Sequence, residues 1–164
     1  MTGSSQRTGR APLGLVGAVR FLTRVPVPGP DVPHRRAVPW FPVVGALVGA
    51  VAGAAAALLG EWLGPMLAGG LGVIVALVVT GAFHEDGLAD VADAFGGGWD
   101  REQRLAILKD SRHGTYGVAA LCASIVVRVV ATGSLLATPH GQAAVFAALD
   151  AAHTLGRAAA VGVL

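Results

Sequence analysis

Gly81-Ala-Phe-His-Glu-Asp-Gly-Leu-Ala-Asp-Val-Ala-Asp93, continued by Ala94-Phe-Gly-Gly-Gly98, is the stretch that decides the fold. It gathers four of the chain's ten acidic residues and one of its five histidines, directly after an apolar run from Met66 to Thr80. A helix from Gly81 to Phe95 sets Asp86, Asp90 and Asp93 at i, i+4 and i+7, so all three carboxylates share one face. Ala82 and Ala89 nearby are small and leave room beside them. Three oxygen ligands on one face suit a hard divalent cation such as Mg2+, which takes carboxylates and bound phosphates. A solvated acidic helix end has the same spacing. Position favours the metal: these acids stand where an apolar segment meets water.

Bulk composition supports that placement. Of 164 residues, 54% are hydrophobic and 13% charged, with a mean hydropathy of +0.65; a soluble domain carries about a quarter charged residues. The expectation is an all-α, polytopic membrane bundle forming a single domain over residues 1–164. The 24 glycines favour close helix packing. A net charge of +2 without a Lys/Arg stripe excludes nucleic acid as a partner. The single Cys122 excludes an intrachain disulfide and reads as an inert buried thiol. No cleavable signal peptide is expected, because the first ten residues are polar and Arg20 interrupts the next apolar run.

Residues 1–10 are Ser/Thr/Gly/Arg-rich and expected to be disordered. Residues 12–24 place Leu15, Val19 and Leu22 on one stripe, which predicts an amphipathic helix on the membrane surface. Val25-Pro-Val-Pro-Gly-Pro30 then forbids helix. Four transmembrane helices are expected, over 42–60, 66–83, 118–138 and 143–164, each near the roughly 20 residues a span needs. Trp40 and Trp62 bracket the first as interfacial anchors, and Gly45, Gly49 and Gly53 give it one smooth face for a partner helix. Gly64-Pro65 predicts a tight turn.

Residues 84–117 form the segment between the second and third spans. There Gly96-Gly-Gly98 ends the acidic helix, and Asp100 with Gln103 reads as a capping-box variant. Arginines near the N-terminus and Arg101, Arg104, Lys109 and Arg112 fall on the same side as the acids, which the positive-inside rule makes cytoplasmic. Arg128 and Asp150, at similar depths on antiparallel neighbours, are expected to approach each other. Arg157 lies towards the acids, as a phosphate clamp or a snorkelling arginine.

Carboxylates holding a metal opposite cations holding phosphate is the arrangement phosphoryl transfer needs. Asp86, Asp90 and Asp93 supply the first half; Lys109, Arg112 and Arg157 supply the second. His84 has the intrinsic pKa of a general base towards an attacking hydroxyl, though a lone histidine at a helix start also serves as a structural hydrogen-bonder. Ser111 and Tyr116 are candidates for substrate contact, and equally for structural roles.

Four blocks occur in a telling order: Phe21-Leu-Thr-Arg-Val-Pro-Val-Pro28, Phe41-Pro-Val-Val-Gly45, Phe83-His-Glu-Asp-Gly-Leu-Ala-Asp90 with Asp93, and Lys109-Asp-Ser-Arg-His-Gly-Thr-Tyr-Gly117. Together they closely resemble the cobalamin synthase family, the membrane adenosylcobinamide-GDP ribazoletransferases. The resemblance implies that a hydroxyl of α-ribazole, or of its 5′-phosphate, attacks the cobinamide phosphate of adenosylcobinamide-GDP; GMP leaves and magnesium is required. It also implies a metal and catalytic cluster of His84, Asp86, Asp90 and Asp93, with Lys109, Asp110, Ser111 and Arg112 shaping the phosphate side.

The implied location is a prokaryotic plasma (inner) membrane, with the site facing the cytoplasm. Glu85 stands where the family often has an apolar residue and receives no metal role. Gly156-Arg157 keeps the cation of a Ser-Arg pair common in the family but loses its hydroxyl. Family members continue past this point with further spans and a late Gly-rich motif, so this chain is expected to leave a helix-packing surface open, suited to a second copy in a homo-oligomer. Two other readings remain. A CDP-alcohol phosphotransferase wants Ala-Arg shortly after Asp-Gly, where this chain has Leu88-Ala89-Asp90. A non-catalytic membrane subunit or transporter fragment uses the intramembrane charges but gives the acid cluster no purpose.

Overall fold

A computed structural model describes residues 10–163; the N-terminal stretch expected to be disordered lies, apart from Arg10, outside the described residues. Among these residues the structure is entirely helical and contains no strand. The first helix, α1 (Arg10–Leu22), is followed by an extended, proline-bearing linker and a short turn of helix, α2 (His34–Ala37). A 3-10 turn over Val38–Trp40 leads into α3 (Phe41–Leu63). Gly64, at φ 75°, makes the tight turn into α4 (Pro65–Thr80). The acidic helix is α5 (Phe83–Gly97), then come α6 (Arg101–Ile107), α7 (Thr115–Leu136) and α8 (Gly141–Val163).

The bundle is organised by size of side chain. Val44, Val48, Ala52, Ala56, Ala68 and Ala76 are buried between helices, whereas Val51, Ile74, Val78, Val126 and Val127 point outward and are more than half exposed. A water-soluble bundle would bury its large apolar groups. Outward bulk with inward Gly and Ala is what packing within lipid favours, because lipid tails are as apolar as the side chains. Cys122 belongs to this outward face of α7 and is exposed, which corrects the buried thiol expected from its apolar surroundings.

The α3–α8 seam is the most extensive packing in the molecule. It is made possible by the glycine row: a Cβ on Gly49 would stand 2.6 Å from the Asp150 Cα, and one on Gly53 would stand 2.9 Å from the Phe146 Cα. α4 lies against both α3 and α7.

His34–Leu63 and Thr115–Leu136 are each long and apolar enough to cross a bilayer; α4 and α5 qualify only as a pair bent by 91°. Among the described residues the segments that meet this measure of length and composition number two, or three with that pair as one span, where the sequence led to an expectation of four. Two features explain the difference: α4 alone has 16 residues, and α8, at 23 residues, carries Asp150, His153 and Arg157 within its apolar run.

α1 is amphipathic as its pattern requires, with Ala18 and Leu22 buried and Arg20 exposed. Its apolar side rests on protein: Phe21 stacks on Phe41 at 5.4 Å and meets Phe83 edge-on at 5.3 Å. The Arg24 N–H donates to the Val79 carbonyl at 2.8 Å, tying the end of α1 to the end of α4. The capping box also forms, with Gln103 N–H donating to Asp100 Oδ1 at 2.8 Å and Trp99 N–H to Gln103 Oε1 at 2.9 Å.

Candidate active site

The site begins where α4 stops. Gly81 adopts the left-handed conformation (φ 66°, ψ 32°) that ends a helix, and Ala82 follows it there at φ 57°. A left-handed alanine costs about 1 kcal/mol or more; here the Ala82 N–H donates to the Leu77 carbonyl at 2.9 Å, which helps to hold it. These two residues make the 91° bend, and the bend lays α5 along α7.

One face of α5 then meets one short segment, His113 to Gly117. At its N-terminal end, single ligand atoms of Asp86, Asp90 and His113 all lie within 4.8 Å of one another, with His113 Nε2 4.0 Å from Asp86 Oδ1. One turn on, Asp93 is only 7% exposed. Its carboxylate accepts from the Gly114 N–H at 2.6 Å and the Gly117 N–H at 2.8 Å. α7 has no capping side chain of its own, since its N-cap is Gly114. Asp93 supplies the cap from another helix and sets negative charge at the positive end of the α7 dipole. Asp93, expected beside Asp86 and Asp90 as a metal ligand, has both oxygens bonded to backbone, and the group that stands closest to the Asp86–Asp90 pair is His113. The shared helical face is as the spacing requires.

A cavity of about 500 Å³ opens in front of Asp86 and His113, with Arg20, Arg24, Thr80 and Glu85 on its other walls. Arg20 donates to the Gly29 and Pro30 carbonyls, both at 3.1 Å, and Arg24, whose side chain lies over Gly81, lines the same cavity as Asp86 and His113. No periodic pattern marks either as a phosphate ligand, although Arg24 stands within the Phe21–Pro28 block.

The residues expected on the phosphate side separate. Asp110 and Arg112 open onto a second cavity of about 480 Å³, which adjoins the first at His113 and includes Asp93 and Tyr116. Their side chains pair at 2.6 Å, and the Arg112 N–H also donates to Asp110 Oδ1 at 3.1 Å. Hydrogen bonding from Arg112 holds the Asp110 carboxyl down to about 2. Lys109 and Ser111 are exposed and line neither cavity. Tyr116 covers Gly96, where a Cβ would run into its ring.

Arg157 is buried on α8, with its guanidinium 3.3 Å from His84 Nδ1. His84 therefore faces α8, away from the Asp86–Asp90 pair. The expected Arg128–Asp150 pair is also corrected: Arg128 Nη1 donates to Glu85 Oε1 at 2.8 Å. The bend in the chain brings α5 within reach of Arg128, while Asp150 is turned to the glycine seam of α3.

Apolar helices with outward bulk, and a carboxylate–imidazole cluster beside an arginine-lined cavity where those helices end, define the class: a membrane-embedded helical protein with a polar site at the helix ends. The profile of the cobalamin-5-phosphate synthase family matches residues 14–164. The chain belongs to that family. Adenosylcobinamide-GDP ribazoletransferase of Sinorhizobium medicae is 47% identical over 152 residues, covering 88% of this chain and 57% of the relative. The Ralstonia nicotianae protein of that name is 43% identical over 157 residues (90% and 58%). That of Xanthobacter autotrophicus is 44% identical over 133 residues (76% and 50%). The chain thus spans about half the length of the curated relatives it matches. No solved structure matches it.

Proposed function

We propose that this chain carries the phosphoryl-transfer site of an adenosylcobinamide-GDP ribazoletransferase at the cytoplasmic face of a prokaryotic plasma membrane. A hydroxyl of α-ribazole, or of its 5′-phosphate, attacks the cobinamide phosphorus; the bond to the GMP oxygen breaks, and GMP leaves with that electron pair. The observation that carries this reading is the Asp86–Asp90–His113 cluster, two members of which, Asp86 and His113, share one cavity with Arg24. The orientation rests on Arg20, Arg24, Arg101, Arg104, Lys109 and Arg112, which flank the same helix ends as the cluster.

Two carboxylates within reach of each other fit Mg2+, a hard cation that prefers oxygen and keeps several waters. Asp86 and Asp90 would hold it, and the imidazole of His113 suits a bound water better than the ion itself. When bound, the ion supplies neutralisation of the phosphoryl oxygens. Arg24 binds the diphosphate of the donor in the same cavity and stabilises charge on the leaving GMP. His113 is the imidazole positioned to take the acceptor's proton, the role the sequence offered to His84, whose Nδ1 is occupied by Arg157. Asp93 holds the start of α7, and with it His113, against α5. Lipid covers the outward valines. A second copy, or the part of the protein that the longer relatives have, covers the remaining helix faces.

The test is GMP release from adenosylcobinamide-GDP and α-ribazole by this chain in lipid nanodiscs with Mg2+. Release that needs all three components is expected. A well-inserted chain without turnover would instead support the non-catalytic membrane subunit.

A further inference from the structure

A third cavity, of about 210 Å³, adjoins the first and is lined by residues of α4, α5, α7 and α8. Its walls carry Thr80, His84, Glu85, Arg128, His153 and Arg157, a concentration of polar groups in an otherwise apolar bundle. Thr80 and Glu85 also line the large cavity and so form the partition between the two. Three buried atoms here have no hydrogen-bond partner among the described residues: Glu85 Oε2, Arg128 Nη2 and His153 Nδ1. Arg157 is 8% exposed, and among the described residues its side chain meets the His84 nitrogen alone.

Buried polar atoms left unpartnered are costly, and a buried cation without a counter-charge more so. Arg128 and Arg157 face a single carboxylate, Glu85, so with neutral imidazoles the cavity holds one uncompensated positive charge. The ligand that resolves this carries one negative charge, several acceptor oxygens and one donor.

We infer that this third cavity is an anion socket, distinct from the Asp86–Asp90 cluster, that takes a soluble phosphate or phosphate monoester as its monoanion. Its charged oxygens accept from Arg128 Nη2 and Arg157, and from His153 in the tautomer that carries the proton on Nδ1. Its remaining P–OH donates to Glu85 Oε2. All three orphan atoms are then satisfied by one group. The occupant is divided from the reacting cavity by Thr80 and Glu85, which line both. The socket does not depend on the transfer reading, because it needs neither metal nor nucleotide.

The experiment is titration of inorganic phosphate into the full chain in phosphatidylcholine nanodiscs with EDTA present, followed by calorimetry. Saturable binding is expected, weakened at least tenfold in R157Q and R128Q and unchanged in D86N. E85Q removes the competing charge and should tighten binding about tenfold, an effect no purely structural ion pair produces. Absent binding, binding indifferent to R157Q, or binding lost in D86N would each overturn the socket. Where R157Q fails to insert, E85Q decides: unchanged or weaker affinity overturns the proposal. Competition by phosphatidic acid placed in the discs would overturn the soluble assignment in favour of a lipid headgroup. Loss of GMP release with phosphate binding intact would count against the transfer reading alone.

Discussion

At one end of α5, Asp86 and Asp90 hold their carboxylates beside His113, with Asp86 open to solvent. One turn further on, Asp93 on the same face is buried, with both oxygens on backbone N–H groups of α7. The three residues are chemically identical and almost equally spaced. What differs is the partner that the neighbouring helix offers: a side chain at His113, and bare amides at Gly114 and Gly117. A carboxylate becomes structural where a helix N-terminus reaches it without a Cβ in the way, and stays available where the facing residue has a side chain. The lesson is that the α7 start, as much as α5, assigns roles within the acidic motif.

The sharpest way to break this contrast is to neutralise each carboxylate in turn. D86N and D90N should each lower GMP release about 1,000-fold, roughly 4 kcal/mol of transition-state stabilisation. Unfolding in detergent should not change. Rates near wild type in either variant would remove Asp86 and Asp90 from the reaction. D93A should behave in the opposite manner, with helix-bundle stability lowered by about 3 kcal/mol for two lost charge-assisted bonds and a lost cap. Thermal unfolding followed by circular dichroism reads this out. A D93A chain that melts like wild type but has lost activity would make Asp93 a ligand after all.

The sequence pattern predicted the helices well, because apolar runs, Gly-Pro turns and capping signals act locally. The apolar segments 42–60 and 118–138 correspond to the helices Phe41–Leu63 and Thr115–Leu136. The Asp100–Gln103 box and the glycine face of α3 are present as well. What spacing could not supply was which element faces which. The 91° bend depends on Gly81 and Ala82 being left-handed, and only after that turn does Glu85 meet Arg128. His113 lies within the Lys109–Gly117 block, where Arg112 carries the stronger charge signal, and nothing local distinguishes its imidazole. Arg24 has no periodic relation to Asp86 some sixty positions later.

A smaller effect is expected at the seam that carries no chemistry. G49A places a methyl group against the α8 backbone at Asp150, and overpacking of this kind costs about 2 kcal/mol. The loss should appear in stability and leave the substrate KM unchanged. A seam that tolerates alanine at both Gly49 and Gly53 would mean that α3 and α8 are held mainly by something other than close backbone approach.

The smallest effect should come from Asp110, which tests whether an exposed acid beside the site belongs with Asp86 or with Asp93. Its carboxylate accepts from the Arg112 guanidinium at 2.6–3.1 Å and from the Arg112 N–H at 3.1 Å. Those hydrogen bonds hold it down to about 2, below the ordinary value of about 4. A depressed folded value means the contact is complete above about pH 4 and fades as pH falls through about 2. No step in activity between pH 5 and 8 should therefore arise from this group. The pair is exposed and screened by salt, so D110N should leave the melting temperature unchanged and turnover within about twofold. A pH–rate step between 5 and 8 that disappears in D110N, or a loss of turnover comparable with that of D86N, would show Asp110 acting on substrate directly. The lysine-to-arginine loop would then join the Asp86 wall as one site, and the division between working and structural carboxylates would have to be redrawn across both cavities.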